Sequence, residues 1–147
     1  MAYEISRTEV WSGELADQPG ALAGKLEALE RAGANLDFVI VRPLASPSGG
    51  AMAAGVLFVA PLVGSEQQRA AEEAGLRRSV GMHVLRLIGP DRPGLGAAIA
   101  RHLASAGLNI AGLSAAAIDE RCIFYLRFGC EEDVRRAAQV LTGALGA

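Results

Sequence analysis

The sequence has very little cysteine. Its 147 residues include only Cys122 and Cys130. These lie at the two ends of one predicted strand, roughly 26 Å apart at ~3.3 Å per residue, whereas a disulfide needs Cα atoms within about 7 Å of each other. Two distant thiols are also too few to form a metal site. We therefore expect both thiols to be small buried side chains facing the core, with no metal and no cofactor.

Long apolar segments and an excess of basic charge are also missing. The longest apolar run, 51–63, has 13 residues and is interrupted by Gly55 and Pro61, whereas a membrane helix needs about 20. The first seven residues lack the apolar segment of a signal peptide. The formal net charge is −2, without the basic stripe typical of nucleic-acid binding. These absences predict a cytoplasmic protein that binds neither membranes nor nucleic acids.

Catalytic combinations are scarce as well. The only histidines are His83 and His102, and no spacing pairs either of them with Cys122 as a base and a nucleophile. The segment 94–96 has two glycines after a predicted strand, but Ile99 replaces the third glycine of a dinucleotide-binding loop. We therefore predict no catalytic residue and do not expect an enzyme.

What the sequence does contain is an internal repeat with a shift of 74 positions. The shift is about half the chain, so we predict two domains, at 1–80 and 81–147. A unit of roughly 70 residues buries little surface alone, and hydrophobic residues make up 51% of the sequence. We therefore expect the halves to pack together or against a second chain. The repeat aligns Asp17-Gln18-Pro19-Gly20 with Asp91-Arg92-Pro93-Gly94, Ala32-Gly33 with Ala106-Gly107, and Asn35 with Asn109.

Each half is predicted to run strand, helix, strand, strand, helix. This order is typical of a ferredoxin-like α+β fold, βαββαβ, with helices on one face of an antiparallel sheet. A fourth strand of the first half would fall near 76–80, and the second half has no evident fourth strand. The predicted elements are strand 8–15, helix 20–32, strands 36–42 and 52–60 and helix 65–74, then strand 82–89, a helix ending before Gly107, strands 110–118 and 122–128 and helix 131–145.

These motifs resemble the ACT domain. That family has Asp-x-Pro-Gly between a strand and a helix, followed by Ala-Gly-x-Asn before the next strand. The stretch 88–95 is similar to ACT modules of the glycine-cleavage regulator and of formyltetrahydrofolate deformylase. The resemblance implies a regulatory module that binds a small molecule, most often a free amino acid. It also implies side-by-side pairing into one extended sheet, hence a homodimer, with the effector at the junction.

The resemblance further implies two sets of ligand-binding residues at the two loops. A helix start offers free backbone N–H groups to a carboxylate, and asparagine both donates and accepts hydrogen bonds. Arg92 suits an acidic group as a bidentate donor. The same residues have a purely structural interpretation, as caps and turns. The implied positions are Asp17, Gln18, Gly20, Ala21, Leu22 and Asn35, and Asp91, Arg92, Gly94, Leu95, Gly96 and Asn109.

Two functions remain open from the sequence. The chain is either an amino-acid-binding regulatory protein that acts on a separate enzyme or regulator chain, or a ligand-independent interaction subunit of a metabolic enzyme. The two loops also need not be equivalent, because Gly96 replaces Leu22 and Ile99 stands where the first copy has Lys25.

Overall fold

The computed structural model describes residues 3–44 and 54–146. They divide into two compact units, which are treated separately below. The first unit is Glu9–Val80. The second consists of the chain from Gly81 onward together with an N-terminal strand, Glu4–Thr8 (β1).

The first unit contains one antiparallel sheet and two helices. Its sheet has the strand order β3-β4-β2-β5, so β4 and β2 lie in the middle, and β3 and β5 are the edge strands. Residues 45–53, which include the connection between the predicted strands 36–42 and 52–60 and the first two residues of the latter, lie outside the described residues. The elements of this unit are β2 (Trp11–Ala16), α1 (Ala21–Arg31), β3 (Phe38–Pro43), β4 (Ala54–Ala60), α2 (Gly64–Glu73) and β5 (Arg77–Arg78).

The second unit repeats this arrangement, with the sheet order β7-β8-β6-β1. Strand β1 occupies the place that β5 has in the first sheet, and every strand pair is antiparallel. The predicted ferredoxin-like α+β class is therefore confirmed. The elements are β6 (His83–Pro90), α3 (Leu95–Ser105), β7 (Gly112–Ile118), β8 (Arg121–Phe128) and α4 (Glu131–Leu145).

The beginning of the chain differs from the sequence-based prediction. The single strand expected at 8–15 is two strands, because β1 ends at Thr8 and β2 begins at Trp11. Although the first eight residues were assigned to the first domain, β1 pairs with β6 of the second unit, from Glu4 opposite Ile88 to Thr8 opposite Val84. This pairing supplies partners to backbone groups along one side of β6, which would otherwise form an exposed sheet edge.

Each unit has its own apolar core between sheet and helices. In the second unit Leu95, Ile99 and Leu103 of α3 are buried, and they pack against the alternating apolar residues of β6 and β8. In the first unit Leu29 is fully buried, whereas Leu22 and Leu26 are half-buried against the core. The largest core side chains are Trp11, Leu29, Leu57 and Leu76 in the first unit and Leu87, Leu103, Leu126 and Phe128 in the second.

The two cysteines do not share an environment. Cys122 lies in the core of the second unit, as predicted, but the expectation for Cys130 is wrong because this residue is exposed. Strand β8 ends at Phe128, so Cys130 no longer follows its alternation and instead directly precedes α4. Across residues 3–44 and 54–146, no helix combines the length and apolar character needed to cross a membrane.

Candidate functional site

The two repeated loops adopt the same backbone conformation. Gly20 and Gly94 have φ of 88° and 83° and directly precede α1 and α3. A Cβ atom at either position would meet nothing within 4 Å. Glycine is therefore favoured by the left-handed backbone rather than by lack of space. Neither helix start has a side-chain cap, so both present backbone N–H groups at the positive end of the helix dipole.

At the first loop, backbone hydrogen bonds hold the turn. The Gln18 N–H donates to the Ala16 carbonyl at 2.9 Å, and the Ala21 N–H donates to the Gln18 carbonyl at 3.3 Å. Asp17, Gln18 and Gly20 are exposed, and Ala21 and Leu22 are half-buried. Within residues 3–44 and 54–146, the Asp17 carboxylate has no hydrogen-bond or ion-pair partner. Its charge is thus available at the surface.

A small cavity of about 190 Å³ adjoins this loop. It is formed where β2 and β3 end on either side of Gly55. A Cβ atom at Gly55 would lie 3.1 Å from the Arg42 carbonyl oxygen, so glycine allows the close approach of the strands there. The lining combines an apolar wall with one acidic and one basic residue: Leu15, Ala16, Asp17, Val41, Arg42, Pro43 and Gly55. Sequence reasoning missed Arg42, which lies outside the motif.

At the second loop, Asp91, Arg92, Gly94 and Gly96 are exposed. The Leu95 side chain is buried in the core, so only its backbone can meet a ligand. Within residues 3–44 and 54–146, more hydrogen bonds join the residues of this loop to other elements than join those of the first loop.

Three hydrogen bonds tie the residues at this loop to other parts of the unit. The Asp91 N–H donates to the Glu120 carbonyl at 2.8 Å. The Pro90 carbonyl accepts from the Tyr3 hydroxyl at 2.8 Å and from the Cys122 thiol at 3.7 Å. Burial raises the pKa of Cys122, and the nearby charge of Asp91 adds to the rise. The thiol therefore acts here as a neutral donor.

The two asparagines lie away from the loops of their own units. Asn35 precedes β3, which opens with Phe38 opposite Ala60, whereas Asp17 follows Ala16 at the other end of β4. The six or so intervening residues correspond to roughly 20 Å of strand. Asn109 is placed equivalently in the second unit. Both asparagines are exposed, so one unit alone does not bring its loop and its asparagine together.

Comparison with known proteins identifies the second unit. A family model described as ACT domain matches residues 82–146. The second unit is an ACT domain. Its match begins at the residue before β6 and ends at the residue after α4, whereas β1, which completes the ACT sheet, lies outside the matched range.

Solved structures have the same fold over nearly the whole chain. Protein BT0572 from Bacteroides thetaiotaomicron has a TM-score of 0.74 at 17% identity, covering 95% of this chain and 90% of that one. The regulatory subunit of aspartate kinase from Thermus thermophilus has a TM-score of 0.62 at 19% identity, covering 98% and 97%. Escherichia coli aspartokinase III with lysine and aspartate has a TM-score of 0.53 at 19% identity, covering 100% of this chain and 33% of that one. A comparison with curated proteins found no match.

Proposed function

We propose that this chain is a non-catalytic regulatory protein that binds a free amino acid and acts on a separate protein chain. The observation that carries the proposal is the cavity beside the first loop, where Asp17 and Arg42 line one small space with an apolar wall. An amino acid carries an ammonium, a carboxylate and a side chain. Asp17 suits the ammonium, while Arg42 and the start of α1 suit the carboxylate.

The cavity size favours a small ligand. Drug-sized ligands occupy pockets of about 300–1,000 Å³, whereas this one measures about 190 Å³. The apolar contribution of Leu15, Val41 and Pro43 favours an aliphatic side chain over a charged one. Of the predicted Asp17, Gln18, Gly20, Ala21 and Leu22, Asp17 lines the cavity, and we propose that it contacts the ligand.

We further propose a homodimer built through the edge strand β3. This strand lies at the edge of its sheet and exposes Val39 and Val41, each by more than 40%. Antiparallel pairing of β3 with its copy in a second molecule would bring the beginning of one strand beside the end of the other. Asn35 of one copy would then lie beside the cavity of its partner, supplying the amide that a single unit keeps about 20 Å away.

The comparisons support this assignment by fold. Solved neighbours include regulatory subunits of aspartate kinase and an aspartokinase bound to lysine and aspartate. Another neighbour is described as containing aspartokinase alpha and beta subunits. By analogy with these neighbours, we propose that the output of this protein is transmitted to a separate enzyme or regulator.

A thermal-shift screen of the twenty amino acids tests the proposal. A ligand of the native state at 100 times its Kd stabilises by about 2.7 kcal/mol, which for domains of this size raises Tm by several degrees. We expect the active amino acid to lose roughly five- to 100-fold in affinity when Asp17→Ala or Arg42→Ala removes a charged contact. Glu27→Ala, at an exposed position of α1, is the control and should keep the affinity.

If no amino acid shifts Tm at millimolar concentration, ligand-independent binding to an enzyme becomes the better function. The exposed apolar residues of β3 are the observation that favours this second candidate. Analytical ultracentrifugation of the Val41→Glu variant tests the β3 homodimer independently of the choice between the two functions, since a dimer built through β3 should dissociate whether or not an amino acid is bound.

A further inference from the structure

The N-terminal strand extends to the second loop through Tyr3. Strand β1 pairs with β6 over five residues, and Glu4 lies opposite Ile88. The register therefore places Tyr3 opposite Gly89, two residues before Asp91. Tyr3 also packs against the core of the second unit.

The contact between Tyr3 and Gly89 leaves no space for a larger residue. A Cβ atom at position 89 would collide with the Tyr3 ring at Cδ1. The 74-residue shift aligns Gly89 with Leu15, whose side chain is buried in the first unit. In that unit the fourth strand, β5, pairs only with Trp11 and Ser12. The two repeats thus differ at this position, with leucine where the fourth strand stops short and glycine where an aromatic ring reaches it.

The Tyr3 hydroxyl then fixes the backbone that enters the loop. It donates to the Pro90 carbonyl at 2.8 Å, and Pro90 is the residue before Asp91. The Asp91 N–H is hydrogen-bonded to Glu120 on the other side. Tyr3 therefore supplies one of the three hydrogen bonds that tie the residues at the Asp91–Gly94 loop to the rest of the unit.

We propose that Tyr3 is a positioning residue for the loop Asp91–Gly94, and that docking of β1 is thermodynamically coupled to ligand binding at this loop. The coupling part rests on the proposed function and on the prediction that the second loop also binds the amino acid, while the positioning part does not. Coupling is reciprocal: a ligand held by the loop strengthens the docking of β1, and displacement of β1 weakens the ligand.

Amide hydrogen exchange of the ligand-free full chain tests the positioning directly. The reporters are the Asp91 N–H, bonded to Glu120, and the Ala98 N–H, bonded to the Gly94 carbonyl. The reference is the Leu108 N–H, bonded to Leu103 at the far end of α3. Tyr3→Phe keeps the ring and removes one hydrogen bond, so we expect about fivefold faster exchange at the two reporters and no change at Leu108.

Gly89→Ala displaces the ring without altering β1 itself. We expect it to accelerate the reporters at least as much as Tyr3→Ala, and the double variant Gly89→Ala, Tyr3→Ala to add little more, because both changes remove the same contact. Gly129→Ala is the control, since a Cβ atom there meets nothing within 4 Å. Equal acceleration at the reporters and at Leu108 would overturn the proposal by making Tyr3 only a stabilising residue, and so would unchanged reporters in Tyr3→Ala.

The coupling is measured with the amino acid that gives the largest thermal shift. Weaker binding in the Asp91→Ala variant establishes that this amino acid uses the second loop, and Tyr3→Phe should then also weaken it severalfold. Unchanged affinity in Tyr3→Phe despite weaker binding in Asp91→Ala would overturn the coupling, and so would unchanged affinity in Asp91→Ala, because the ligand would then not use the second loop. A screen in which no amino acid binds would reject the proposed function and the coupling, while the exchange experiment would still decide the positioning.

Discussion

At the residue scale, Gly20 and Gly24 allow a matched test of the loop conformation. Gly20 has φ of 88°, whereas Gly24 lies inside α1, and a Cβ atom at either would meet nothing within 4 Å. The left-handed conformation costs a non-glycine residue about 1–2 kcal/mol, while alanine inside a helix is more favourable than glycine by about 1 kcal/mol. We therefore expect Gly20→Ala to lower the free energy of unfolding and Gly24→Ala to raise it, as measured by urea denaturation. Equal effects of the two changes would contradict the assigned loop geometry.

Individual residues also show which features of the two loops and of the core could be predicted from the sequence. The sequence predicted turns at Gly20 and Gly94 and a buried Cys122, because turn chemistry and strand alternation are local. It missed Arg42 and Tyr3, which come near the loops only through strand pairing. It misplaced Cys130 because the alternation of β8 ends at Phe128 and does not extend to this residue.

At the element scale, a cluster of charged groups joins β1, β6 and α4. The Arg7 guanidinium donates to the Glu131 carboxylate, and His83 Nδ1 lies 3.4 Å from the same carboxylate oxygen. The hydrogen bond from Arg7 is the main reason that the pKa of Glu131 lies below its ordinary value of 4.5. A carboxyl group whose pKa is lower in the folded state stabilises the fold above its unfolded pKa, and this contribution is lost as pH falls through the folded pKa.

We expect Glu131→Gln to reduce stability at neutral pH and to flatten the loss of stability as pH falls below about 4.5. Glu132→Gln is the matched control, because it removes a charge from the same first turn of α4 at an exposed position. Urea unfolding midpoints measured from pH 3 to pH 7 provide the test. Identical profiles for the two variants would mean that the Arg7 contact contributes no more than the general charge of the helix start.

The helices and the strands of both hairpins could be predicted from local sequence patterns, whereas the fourth strand of the second unit could not. Helix α4 has its predicted bounds, and β7 and β8 form the predicted hairpin around Asp119 and Glu120. Strand β5 has only two residues and lies at the predicted place, near 76–80. The partner of β6, in contrast, comes from the other end of the sequence. The residue pattern within β1 does not indicate which strand it pairs with. Long-range pairing of this kind therefore cannot be predicted from local sequence.

At the scale of the whole molecule, the first unit is one continuous segment and the second is not. Residues 9–80 contain all four strands of their sheet, whereas residues 81–147 lack β1. Without β1, the backbone along one side of β6 loses its partners, and Ile5 no longer packs against the core. Because a unit of about 70 residues has little stability to spare, the isolated segment 81–147 should be largely unfolded or aggregated.

A synthetic peptide with the sequence of residues 1–10 should restore this segment. Binding to the native form alone stabilises by mass action, so we expect a saturable gain in ordered structure by circular dichroism as the peptide is added. A peptide with Tyr3→Ala and Ile5→Ala removes the two side chains of this strand that pack against the core, and it should need a much higher concentration. If residues 81–147 fold alone with the stability that this unit has in the full chain, β1 is only an accessory edge strand, and the continuous ACT core carries the unit without it.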